Sequence, residues 1–223
     1  MKKHLLRTAL LALLLLSACA SPLPAETERM TMNATTTSQT SAAFACDAVF
    51  FGDSITADGN FDVLFPRLRI QNLGVYGDTL EDLLRRVPEV RAARPAVIFL
   101  LGGINSLKDD NLERCVTQYR ELAEALRTDC PDSLLCIQTV LPVGAEIEAL
   151  LGCSNETVCA FNLRLKALAA ELSLPVPDLW AAYEKDGALD PELTRDGLHL
   201  NFNVYDRWAD VVRPYLEGLP SAD

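Results

Sequence analysis

Short, nearly continuous apolar runs alternate along the chain with longer stretches in which apolar residues recur every three or four positions. The runs are Ala48–Phe51, Ile70–Leu73, Ala96–Leu101, Leu134–Leu141 and Val176–Leu179. Runs of this length without polar alternation read as strands buried on both faces, as in a parallel sheet. Leu80–Ala92, Leu112–Arg127, Thr157–Leu172 and Val204–Leu216 carry helical spacing. In the third of these, Val158, Phe161, Leu165, Leu168 and Leu172 fall on one stripe. Strands alternating with helices predict β-α units and hence an α/β fold, one three-layer α/β/α domain around a five-stranded parallel sheet. In such sheets ligands bind beyond the carboxyl ends of the strands, so reactive groups are expected in the segments that follow them.

The first 43 residues do not share this pattern. Lys2, Lys3 and Arg7 precede an apolar run from Ala9 to Leu16, the arrangement of a secretory leader. The run is shorter than the about 20 apolar residues that a membrane-spanning helix needs. It ends in Leu16-Ser17-Ala18-Cys19, which resembles the lipobox of bacterial lipoproteins. That resemblance implies cleavage before Cys19, acylation of its thiol, and a lipid-anchored, extracytoplasmic domain in the bacterial cell envelope. The alternative is an ordinary signal peptide in which Cys19 is incidental. Two or more acyl chains on one residue would suffice for stable anchoring. From Ser21 to about Ala43 the chain is rich in Ser and Thr and has no apolar period, which reads as a tether. The expected division is a leader over 1–18, a lipidated cysteine and tether over 19–43, and a folded domain over 44–223.

At 223 residues, 49% hydrophobic and 23% charged, the chain fits one globular domain plus this non-globular segment. The net charge of -11 becomes -14 once the three positive charges of Lys2, Lys3 and Arg7 are removed. Such a surface repels phosphate backbones and excludes a nucleic-acid partner. Six cysteines follow Cys19: Cys46, Cys115, Cys130, Cys136, Cys153 and Cys159. An even number in an exported protein fits disulfides. Cys130 and Cys136 flank one short loop and Cys153 and Cys159 another, so local bridges are expected there, although spacing leaves the connectivity open and some cysteines could be free core residues. There is no paired C-x-x-C spacing and only His199 remains as a histidine after the leader, so no metal site is expected.

The first run ends in Phe51-Gly52-Asp53-Ser54-Ile55-Thr56, which puts Ser54 at a strand-to-helix turn. A serine hydroxyl becomes a nucleophile when a base accepts its proton. Taken alone, G-D-S is equally a turn with a helix cap, and Thr56 departs from the G-x-S-x-G elbow of α/β-hydrolases. His199, within Thr194-Arg195-Asp196-Gly197-Leu198-His199, is the one base available, and Asp196 can reach its imidazole if the segment turns. That segment alone could also be a capped surface turn. The second run leads into Gly74-Val75-Tyr76-Gly77-Asp78-Thr79 and the third into Gly102-Gly103-Ile104-Asn105-Ser106. Backbone N–H groups at glycines and an Asn amide can stabilise an oxyanion, and glycines after strands are also ordinary turn residues.

Together, in order and spacing, these four motifs resemble the SGNH, or GDSL-type, hydrolase family from about Cys46 to Leu216. The resemblance implies Ser54 as nucleophile, His199 as base and Asp196 as its partner. It implies an oxyanion hole from the N–H groups of Ser54 and Gly77 and the amide of Asn105, with Gly77 matching the family glycine better than Gly74. It also implies a flavodoxin-like sandwich of strand order 2-1-3-4-5, a serine esterase that needs no metal or organic cofactor, and a small-molecule or glycan ester as substrate. The most similar members in look are bacterial esterases of the platelet-activating-factor acetylhydrolase and sialate O-acetylesterase type, through Asp82–Val90 and Asp196–Asn201 with Tyr205 and Trp208. A short acetyl ester on a carbohydrate is therefore expected. A lipase, lysophospholipase or thioesterase on longer chains, and a catalytically retired glycan-binding module, are the alternatives. Ser106 replaces the family Asp and is expected to loosen the loop presenting Asn105; Asn203 replaces a common glycine. Asp53 and Asp78 are expected to hold turns, Asp178 to order the last strand end, and Trp180 and Tyr183 either to line a sugar rim or to pack in the core.

Overall fold

The computed structural model describes residues 44–217 and 219. The expected leader, lipidation site Cys19 and tether lie outside the described residues. Among the described residues no helix is long and apolar enough to cross a membrane.

The sheet is built from β1 (Cys46–Gly52), β2 (Ile70–Gly74), β3 (Pro95–Leu100) and β4 (Leu134–Ile137), all parallel, in the order β2-β1-β3-β4. Every residue of β1 and β3 is buried, the consequence of helices covering both faces. After β1 the chain passes through the one-turn helices α1 (Ser54–Ala57) and α2 (Phe61–Leu64) before β2. The longer α3 (Leu80–Ala93) crosses from β2 to β3, and α4 (Leu112–Asp129) from β3 to β4. Right-handed crossovers put α3 and α4 on one face, where they pack together and α4 meets α6 (Asn155–Leu172). They put α1 and α2 on the other face, where α2 meets α8 (Tyr205–Val212). The chain leaves β1 toward β2 and then reverses to β3, so the ends of β1 and β3 flank the crevice expected of a topological switch point. The short helix α5 (Glu148–Leu151) precedes α6, and between α6 and α8 lie the short helix α7 (Leu179–Tyr183) and a small antiparallel pair, β5 (Glu184–Lys185) and β6 (Ala188–Leu189).

Aromatic packing binds the α2–α8 face to the sheet. Phe61 stacks on Phe50 at 3.6 Å and meets Trp208 edge-on at 5.2 Å. At the start of β1, Asp47 is buried and accepts from the backbone and guanidinium of Arg69. Burial alone would raise its pKa, but those hydrogen bonds and the Arg69 charge hold the carboxyl below its ordinary value.

Two expectations are corrected. The run Val176–Leu179 is not a fifth strand, although it lies beside β4: Ile137 N–H donates to Pro175 O (3.0 Å) and Thr139 N–H to Pro177 O (3.2 Å). Pro175 and Pro177 have no N–H to return, so half of the ladder is missing. The expected Cys130–Cys136 and Cys153–Cys159 bridges are absent, and the six described cysteines are free thiols. Cys130 caps α4 while Cys136 is fully buried within β4; Cys153 is buried before α6, whereas Cys159 sits on its exposed side. Burial pushes the thiols of Cys136 to about 12 and of Cys153 to about 11.

Candidate active site

Ser54 opens α1 immediately beyond β1, and Asp53 caps that helix by accepting from Ile55 N–H at 3.0 Å. As the first residue of a helix, Ser54 has a backbone N–H with no intrahelical acceptor, and its side chain faces the loop Thr194–Asn201. There, Asp196 Oδ1 accepts from the N–H groups of Leu198 (3.0 Å) and His199 (2.7 Å), while Oδ2 lies 2.7 Å from His199 Nδ1. One carboxylate thus shapes the turn and orients the imidazole. The opposite ring nitrogen, Nε2, is 3.0 Å from Ser54 Oγ. Burial would raise the Asp196 pKa, but these hydrogen bonds outweigh it and keep the carboxyl below its usual value, ionised at neutral pH. The loop is closed by Thr194 Oγ1 and Arg195 N–H, both donating to His199 O (2.7 and 3.1 Å), and by Gly144 N–H donating to Gly197 O (2.6 Å).

The loops after β2 and β3 open at the same end of the sheet. Gly77 has φ +80, a left-handed conformation that disfavours side chains, and a Cβ there would meet open space. Gly74 serves a different need, since a Cβ there would stand 2.2 Å from the Ala57 backbone. Asn105 donates one amide hydrogen to Asp78 O at 2.9 Å, which fixes the side chain against the Gly77 loop and leaves a second N–H for a ligand. Ser106 does not loosen its loop. Its hydroxyl accepts from Leu80 N–H (2.9 Å), tying the Asn105 segment to the start of α3. Asp78 pairs with Arg86, which also donates to Leu73 O (3.0 Å), and Thr79 with Asp82 forms a capping box on α3.

Asp53 is fully buried, its Oδ2 has no hydrogen-bond partner, and burial pushes its pKa up to about 7. Asp178 caps α7 and accepts from Thr139 Oγ1 (3.0 Å) and Lys166 Nζ (2.7 Å). Tyr183 is buried with its hydroxyl on Val204 O (3.0 Å) and forms no sugar-facing rim, while Trp180 is partly buried against the core. The exposed aromatic beside the histidine is Tyr76, 63% exposed with its ring centroid 6.5 Å from that of His199. Sequence reasoning missed Tyr76, together with Asp58 and Arg195, which reach the same place. Asp58-Gly59 reads as an ordinary turn and carries no signal of it.

The arrangement can remove a proton from Ser54 and hold it on an imidazole backed by a carboxylate. Comparison with known proteins agrees. Residues 50–207 match the model of the GDSL-like lipase/acylhydrolase family. A Streptococcus pneumonia protein described as a platelet activating factor is similar in structure, with a TM-score of 0.68 and 25% identity, covering 76% of this chain and 83% of that one. A GDSL-like lipase from Bacteroides thetaiotaomicron has a TM-score of 0.67 and 20% identity, covering 78% and 88%. An acetyl-xylooligosaccharide esterase from Geobacillus has a TM-score of 0.61 and 18% identity, covering 80% and 97%. The last two, at such identities, show the shared fold. Among curated proteins none matches the chain.

Proposed function

The chain belongs to the GDSL-like lipase/acylhydrolase family, as an ester-hydrolysing serine hydrolase, and from that premise we propose that Ser54, His199 and Asp196 cleave a short acetyl ester on a carbohydrate. The observation that carries the reading is the relay from Ser54 Oγ to His199 Nε2 (3.0 Å) and from Nδ1 to Asp196 (2.7 Å). Ser54 Oγ attacks the ester carbonyl as His199 takes its proton, and Asp196 stabilises the imidazolium. The Ser54 and Gly77 N–H groups and the Asn105 amide receive the oxyanion. The imidazolium then protonates the departing alkoxide, and a water activated by His199 cleaves the acyl-Ser54 and restores the hydroxyl. Every proton and oxygen in this cycle comes from ester, water and these side chains.

The carbohydrate half of the reading is supported by the exposed face of Tyr76 beside His199, since aromatic faces suit apolar sugar faces. The acetyl xylan esterase and the acetyl-xylooligosaccharide esterase among the structural neighbours point the same way. The site of action is proposed to be extracytoplasmic, with the domain held by lipid on Cys19; the leader and Leu16–Cys19 motif support this. Cys19→Ser should abolish incorporation of labelled palmitate.

Hydrolysis of p-nitrophenyl esters of increasing acyl length by the purified protein, with Ser54→Ala as control, tests the substrate class. A rate falling steeply beyond butyryl supports the acetyl reading, and release of acetate from acetylated xylan or sialate would name the sugar. Activity sustained at octanoyl would replace it with a lipolytic function. Absence of Ser54-dependent turnover on every ester would leave a glycan-binding module.

A further inference from the structure

Three chain segments converge on a buried carboxylate that the proposed mechanism leaves unused. Asp58 closes α1, and its N–H donates to Ser54 O at 3.1 Å. Its side chain is 3% exposed. Tyr76, next to Gly77, donates its hydroxyl to Oδ1, and Arg195, next to Asp196, donates from Nη2 to Oδ2. The segment bearing the nucleophile thus carries the carboxylate, and the segments bearing the oxyanion glycine and the acid–base pair each send one polar group to it. These bonds span 18 and 137 residues of sequence.

The geometry makes Arg195 a brace rather than a loose surface cation. Its Nη1 donates to Leu200 O at 2.8 Å, and its guanidinium lies 4.9 Å from the centre of the Phe202 ring. The bonds within the Asp196–His199 turn are local, so they shape the turn without fixing where it sits relative to Ser54. Two further ties reach this region, Gly144 N–H to Gly197 O and Tyr205 Oη to Ile55 O (2.6 Å), and both are neutral. Hydrogen bonds between charged groups at low exposure are stronger and more directional than neutral ones, and among these ties only the Asp58 cluster joins all three segments.

We infer that Asp58 is a positioning residue, whose carboxylate acts through Arg195 and Tyr76 to set the distance between His199 Nε2 and Ser54 Oγ. The inference rests on the acyl-serine reading above. Displacement of a base by about 1 Å can cost about a hundredfold in rate without touching substrate binding. Positioning therefore predicts a loss in the reaction with Ser54, not in affinity.

The test measures two rates for each variant at a temperature well below its melting midpoint: covalent labelling of Ser54 by a fluorophosphonate, and turnover of p-nitrophenyl acetate. Labelling of the wild type, absent in Ser54→Ala, checks the acyl-serine reading first; if it fails, that reading falls on its own. Asp58→Asn and Arg195→Ala should each lower the labelling rate and kcat by about 10- to 100-fold with KM within about twofold. Arg195→Lys should recover part of the loss, and Tyr76→Phe, which removes one hydroxyl, should cost about threefold. The double variant Asp58→Asn/Arg195→Ala should be no slower than the worse single variant, as expected of groups acting as a unit. Wild-type labelling in folded Arg195→Ala, a change confined to KM, or additive losses in the double variant would overturn the inference. Should Asp58→Asn fail to fold, Arg195→Ala and Tyr76→Phe decide the matter alone.

Discussion

Ser54 and His199 are held in opposite ways. Ser54 follows a strand whose every residue is buried, is itself 6% exposed, and inherits its place from the core. The His199 and Asp196 side chains are 21% and 47% exposed and sit on a loop shaped by bonds among its own residues and by a few ties outward. Ser54 is thus fixed by packing, which is non-directional and distributed, and the His199–Asp196 pair by a handful of directional bonds that can each be removed. Damage to the core should cost stability and spare the chemistry of the molecules still folded. Damage to the loop should do the reverse.

The largest effect expected is on the loop side. His199→Ala should lower kcat about 10⁶-fold with little change in the melting midpoint, by ester hydrolysis and calorimetry together. Asp196→Asn keeps an oxygen for the Leu198 and His199 amides, so the turn persists, but the amide cannot hold the imidazole tautomer. It should cost about 10⁴-fold in kcat, and Asp196→Ala no less, with faster hydrogen exchange over 194–201 as the turn loosens. On the core side, Phe61→Ala removes a ring packed between Phe50 and Trp208. It should cost about 3–5 kcal/mol in denaturant unfolding, and the fraction still folded should keep its kcat.

The smallest effect sharpens the contrast within β1 itself, which has a buried acid near each end. Asp47 has a lowered pKa, so its stabilising contribution is present above the unfolded carboxylate value of about 3.9 and is lost as pH falls through the folded value. Asp53 is raised to about 7, so its contribution is present below about 3.9 and is lost as pH rises toward 7. In urea melts across pH 3–8, Asp47→Asn should therefore be most harmful at neutral pH. Asp53→Asn should instead remove a decline in stability between about pH 4 and 7. Equal pH dependence in the two variants would show that the Arg69 partners of Asp47 and the unpartnered Oδ2 of Asp53 have no energetic weight.

The same contrast explains what was legible in the sequence. β1 to β4 and the long helices were readable because burial on both faces leaves unbroken apolar runs, and helical stripes such as Val158 to Leu172 follow from one covered face. Val176–Leu179 misled because Val176 and Leu179 do pack on the core while Pro175 and Pro177 deny the segment a full ladder. The meeting of Ser54, Asp196 and His199 could be anticipated because four motifs, in order and spacing, resemble those of the family; only Ser54 of the three sits at the end of a sheet strand. The cluster at Asp58 could not, since nothing local distinguishes an Asp-Gly turn from one whose carboxylate will meet an arginine 137 residues away. Exposed aromatics are similarly mute: Tyr76 and Tyr183 read alike until the fold buries one and presents the other. The bridges expected from cysteine spacing failed because closeness in sequence says nothing about whether two side chains point into the same space.

The half-ladder beside β4 gives the sheet an order of disassembly. In native-state fluctuations the segment around Pro175–Pro177 can detach by giving up two main-chain bonds and the Thr139 and Lys166 contacts of Asp178, whereas parting β1 from β3 exposes two strands buried along their whole length. Amides of Ile137 and Thr139 should therefore exchange through a low-energy opening, while those of β1 wait for global unfolding. A protease that cuts extended chain would find its earliest foothold at this seam, on the far edge of the sheet from β2.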